Sequence, residues 1–133
     1  MKMSFKKQMI LIKSDNKKEM EDLKINIRNI FKHHIGKENG ISAEEIFMQI
    51  FNTNFKDEPF KRYVFWDIIN KTMKILRRTG EVFICYQKGN YFVLKTQEES
   101  NVYKDILRRD IQAMYGSMKK ADEWVLEEKW RNI

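Results

Sequence analysis

The residues best suited to chemistry lie in one stretch, Pro59 to Gly80. Wound at about 100° per residue, it divides into two arcs. Val64, Phe65, Ile68, Ile69, Thr72, Met73, Ile75 and Leu76 share one, with Trp66 at its edge; Tyr63, Asp67, Asn70, Lys71, Lys74, Arg77 and Arg78 share the other. Cations and an amide aligned on an anchored helix suit the donor and acceptor pattern of a DNA major groove. The same arc also suits the solvated side of a core helix, so the neighbouring sequence has to decide.

Other reactive side chains are sparse. His33 and His34 are adjacent, and adjacent helical residues point about 100° apart, so they do not converge on one ion. A closed zinc site would need carboxylates brought from elsewhere. Cys85 is the one cysteine; it cannot pair within the chain, and no base is placed to activate it. Acidic pairs such as Glu44-Glu45, Glu98-Glu99 and Glu127-Glu128 fall in helix first turns or on solvated faces. There is no glycine-rich phosphate loop and no nucleophile motif. The expectation is a protein with no enzymatic activity, no metal and no cofactor.

The 133 residues suit one domain, and 42% hydrophobic residues suffice for a core. Net charge is +7, which favours polyanionic partners. Its distribution is uneven. Residues 1–18 carry six lysines against Asp15, a net +5. Residues 58–80 carry six Lys and Arg against Glu58 and Asp67, a net +4, whereas residues 96–133 carry −1. Charge gathered on an arm and one helix is the footprint of a phosphate-facing surface. The apolar run Met9 to Ile12 is too short for a signal core or a membrane span. A cytoplasmic protein with no membrane association is expected, in keeping with the free thiol.

The elements that must position these residues follow in order. Residues 1–18 read as a basic arm whose patch Met9 to Ile12 could dock as a strand. From Glu19, the spacing of Met20, Leu23, Ile27, Ile30 and Phe31 predicts a helix that stops near Gly36. Ser42 and Glu45 form a capping box, with Ile41 and Ile46 as its hydrophobic staple. This second helix runs to about Phe51, and Asn52 to Lys56 reads as polar turn. Asp57 is a candidate cap for the third helix, Pro59 fits its first turn and Gly80 ends it. The period then changes to two. Residues 81–86 and 91–95 predict a β-hairpin around Gln87-Lys88-Gly89-Asn90. Thr96 and Glu99 open a long helix expected to reach Trp130. Its Leu107, Ile111, Met114, Met118, Ala121 and Val125 make a heptad-like seam, with Gly116 as a kink or a point of close approach.

Helix, capped helix, turn, helix, hairpin and long helix is an order that resembles the winged helix-turn-helix family over residues 19–95. The resemblance rests on the Gly40-Ile41-Ser42 lead-in, on Ile69, Met73 and Leu76 before Arg77-Arg78-Thr79-Gly80, and on the hairpin. The exit Gly89-Asn90-Tyr91-Phe92-Val93-Leu94-Lys95-Thr96-Gln97-Glu98-Glu99 is similar to that of small winged-helix proteins of phages and prophages of low-GC Gram-positive bacteria. The turn from Asn52 to Asp57 is longer than that of simple helix-turn-helix proteins. The fold expected is mainly α with a small β-hairpin (α+β), a winged helix-turn-helix with a long C-terminal helix over 96–133. The resemblance implies that Tyr63, Asn70, Lys71, Lys74 and Arg78 face the major groove and that Lys88 and Asn90 reach a flanking backbone or minor groove. Asn70 and Lys71 are the candidate base readers, and Lys74, Arg77 and Arg78 the candidate phosphate clamps.

Two functions are therefore expected to compete. One is double-stranded DNA binding, as a transcriptional regulator or replication accessory of a phage or mobile element. The other is a protein-interaction module that engages a host or phage complex without DNA. The C-terminal seam either packs back in cis or pairs with its mate in a homodimer; its length favours the dimer, with Trp124 and Trp130 as anchors.

Overall fold

A computed structural model describes residues 17–133. The arm over 1–18, with its patch Met9 to Ile12, lies outside the described residues except for Lys17 and Lys18, which open the first helix. The protein is mainly helical with one small antiparallel sheet, an α+β chain. The described residues form two units divided between Thr96 and Gln97.

In the first unit, α1 (Lys17–Phe31) buries Leu23, Ile27, Ile30 and Phe31, the face that the spacing predicts. It ends at Phe31, short of Gly36. Helix α2 (Ala43–Phe51) starts at Ser42, whose Oγ accepts the Glu45 backbone N–H at 3.2 Å. The Glu45 carboxylate accepts a hydrogen bond from the Ser42 hydroxyl (3.2 Å), a variant of the reciprocal box. Ile41 and Ile46 are both buried across that start, as a staple requires.

Helix α3 (Pro59–Thr79) buries Phe65, Ile69, Thr72, Met73 and Leu76. Thr72 meets its burial by donating its hydroxyl to the Ile68 carbonyl at 2.8 Å. The cap position belongs to Glu58, whose side chain makes no capping bond, so Asp57 is not the cap. Pro59 in the first turn makes that affordable, because its missing N–H leaves one orphan fewer. Gly80 closes the helix at φ +77, and its N–H reaches the Arg77 carbonyl.

The connection from Asn52 to Asp57 is not merely polar. Phe55 is buried, stacked on Phe65 at 5.0 Å and edge-on to Phe47 at 5.8 Å. It adopts φ +56, which costs a bulky residue on the order of 1–3 kcal/mol. Burying a phenylalanine returns about 1.5–3 kcal/mol. The turn holds that backbone locally: Thr53 Oγ1 accepts the Phe55 N–H (3.1 Å) and Asn54 Oδ1 the Lys56 N–H (3.0 Å). Arg62 then ties the turn to both helices. It donates to the Asn54 carbonyl (2.6 Å), pairs with both oxygens of Glu44 and lies 4.7 Å over the Phe47 ring.

Strands β1 (Ile84–Gln87) and β2 (Asn90–Val93) pair with Tyr86 opposite Tyr91 and Gln87 opposite Asn90. Each is shorter than predicted, and the loop is only Lys88-Gly89. Both loop residues have positive φ, +49 and +86, the pattern of a type I′ turn. The other edge of β2 is also occupied. Ile41 and Tyr91 exchange two backbone bonds of 2.8 Å; Val93 donates to His34 (2.8 Å) and accepts from Gly36 (2.9 Å). Two isolated bridges, one parallel at Ile35 and one antiparallel at Ile41 with a 3₁₀ turn (Lys37–Asn39) between them, thus cover the outer edge of β2. Gly40 is required there, because a Cβ would stand 2.8 Å from Cβ of Asn90.

The second unit consists of α4 (Gln97–Leu126) and a 3₁₀ turn, Lys129–Asn132. The α-helix stops before the expected Trp130. Glu127 and Glu128 sit at its negative dipole end, where carboxylates are unfavourable, and Glu128 turns left-handed at φ +49. The helix runs unbroken through Gly116. Its seam residues Leu107, Ile111, Met114, Met118 and Val125 are exposed. No helix among the described residues is long and apolar enough to cross a membrane.

Candidate nucleic-acid interface

Helix α3 carries most of the candidate residues, and the hairpin beside it divides them into two rows. The outer row is Tyr63, Lys71, Lys74 and Arg78, all exposed. Exposed Phe60 extends it by one turn. Lys71 is not a bare cation: its Nζ lies 2.8 Å from Asp67, one turn earlier. The hydrogen bond and then the charge of Asp67 hold the ammonium pKa above its ordinary value. Lys74 and Arg78 project beyond this pair. The cationic part of the outer row is thus weighted toward the C-terminal half of the helix.

The inner row faces the hairpin. Asn70 and Arg77 are half-buried there, and Arg77 donates to the Ile84 carbonyl of β1 at 3.3 Å. This guanidinium therefore links helix and hairpin, a duty the sequence did not indicate. Lys88 and Asn90 occupy the exposed hairpin tip.

Between the inner row and the hairpin runs a groove. Its wide end is an open cleft of about 400 Å³ lined by Pro59, Arg62, Tyr63, Trp66, Tyr86 and Tyr91, with Ala43 and Gly89 at the rim. Its narrow end, about 220 Å³, is lined by Asn70, Met73, Lys74, Arg77, Ile84 and Cys85, again with Tyr86 and Tyr91. The two tyrosines form the shared wall. Their rings lie 4.6 Å apart, because residues flanking the closing pair of a two-residue hairpin approach closely without hydrogen bonds between them. Tyr91 also meets Trp66 at 5.4 Å, and Trp66 meets Phe47 at 5.5 Å, so the aromatic wall continues into the core. Burial, and then the neighbouring Tyr86, push the Tyr91 hydroxyl up to about 12.

Tyr86, Tyr91, Trp66 and Arg62 were not among the residues that the sequence nominated. Tyr86 and Tyr91 could have been paired by assuming a two-residue Lys88-Gly89 turn, which sets the register. Trp66 reads only as a boundary residue from helical phase. The remaining candidates are not drawn together. His34 uses Nδ1 to bond the Asn39 carbonyl (2.8 Å), Cys85 is buried, and no metal-binding cluster exists among the described residues. Comparison with family models, curated proteins and solved structures finds no match.

Proposed function

We propose that the chain binds double-stranded DNA through a winged helix-turn-helix domain over residues 19–95, with α3 as recognition helix and the β1–β2 hairpin as wing. One observation carries this reading: exposed cations on α3 and a hairpin whose exposed tip bears Lys88 and Asn90 belong to one unit, with the hairpin tied to the helix through Arg77. In this reading Lys71 contacts base edges and Lys74 and Arg78 hold phosphates, while Arg77 is engaged with the hairpin and Asn70 lies in the groove beside it. A non-enzymatic, cytoplasmic regulator or replication accessory of a phage or mobile element is the role that suits it.

A mobility-shift titration at two salt concentrations is the test. Changing Lys71, Lys74 and Arg78 to Ala should weaken duplex binding and reduce the salt slope by about one per phosphate contact removed. An unchanged affinity and slope would falsify the reading. The exposed apolar seam of α4 favours a second role, as a homodimer contact or a protein-docking helix. Absence of duplex binding even at low salt would move the assignment to such an interaction module.

A further inference from the structure

The aromatic cleft does nothing for a recognition helix reading a major groove. Stacked base pairs present only their edges and offer no π-face to Tyr63 and Tyr86, whose rings are exposed at 73% and 56%. An unpaired base does offer one. We infer that the groove between α3 and the hairpin takes an unpaired nucleobase, stacked on the Tyr86–Tyr91 wall, with its strand running past Lys74 toward the hairpin tip.

Three features support that occupant. The cleft's size, about 400 Å³, lies within the roughly 300–1,000 Å³ of small-ligand sites and leaves room for a base with its sugar. Single strands are held by aromatic platforms joined to cationic tracks. Here the platform and Lys74 belong to one groove, with Lys88 at the hairpin tip beside it. No acidic residue lines either end, so the charge suits a phosphate backbone. A proline-rich peptide would also fit aromatic walls, but it carries no phosphate for Lys74 to meet. Asn70 in the narrow end supplies a polar side chain for a base edge. The inference deepens the duplex-binding reading and rests on it only for the duplex beside the unpaired segment.

The experiment compares three probes with the full-length protein: a blunt duplex, the same duplex with a single-stranded extension carrying 2-aminopurine next to the junction, and the free single strand. The extended duplex should bind at least about fivefold more tightly than the blunt one, as expected for one base–aromatic stack. Its aminopurine fluorescence should be quenched. Tyr86→Ala should remove the excess affinity and the quenching, while Tyr86→Phe keeps both. The Tyr86 ring is more than half exposed, so its removal leaves the buried core in place. Equal affinity for blunt and extended duplex, or an excess that survives Tyr86→Ala, would overturn the inference. So would saturable binding of a proline-rich peptide with none of any oligonucleotide. Quenched binding of the free single strand with no blunt-duplex binding would uphold the cleft and defeat the duplex reading.

Discussion

Tyr91 shows how one residue can join fold and site. Its backbone bonds Ile41 on one side, its ring packs tilted against Tyr86 and edge-on to Trp66, and burial raises the pKa of its hydroxyl. A raised tyrosine pKa favours the neutral form in the folded state. The resulting stability is present in full below the ordinary value near 10, and it is lost as pH rises through about 12. Absorbance titration should therefore show one tyrosine ionising near 12, and that late step should vanish in Tyr91→Phe. If every tyrosine ionised near 10, the wall described here would be wrong. Lys71 shows the opposite case. Sequence places it among the base readers, and the fold adds a partner, Asp67, that duplex must displace or share.

At the scale of elements, the connection between α2 and α3 decides how α3 is presented. Its composition reads as polar, yet Phe55 packs among Phe47, Phe51 and Phe65 and anchors the turn to the core. Phe55→Ala should cost about 3–5 kcal/mol, measured by denaturant unfolding. A loss below 1 kcal/mol would mean that the turn is held by Arg62 and the Thr53 and Asn54 side chains alone. The hairpin is comparably dependent on context. Two strands of four residues are marginal by themselves, and here segment 34–41 and α3 hold them.

At the scale of the molecule, the chain divides at Thr96, the boundary that the second capping signal suggests. The first unit holds the buried core and the candidate interface. The second is a helix of 30 residues whose seam, Leu107, Ile111, Met114, Met118 and Val125, is exposed. We propose that this seam pairs with its symmetry mate. Light scattering of the full chain should then give a dimer, and a chain ending at Thr96 should give a folded monomer. An oligomeric state unchanged by the truncation would assign the contact elsewhere.

Periodicity and capping chemistry are local, so the sequence by itself determined the order of helices and hairpin, the buried faces of α1, α2 and α3, the Ser42 start and the Gly80 stop. The ends of elements were less legible, because Glu128 and Phe55 take left-handed backbone without a glycine to announce it. Only the tertiary structure decided how the candidate face is split. The hairpin register and the Arg77 bond to Ile84 turned one basic arc into an outer row of cations and an inner groove walled by Tyr86 and Tyr91. Those contacts join residues distant in sequence, and helical phase on α3 carries no information about which strand lies beside it.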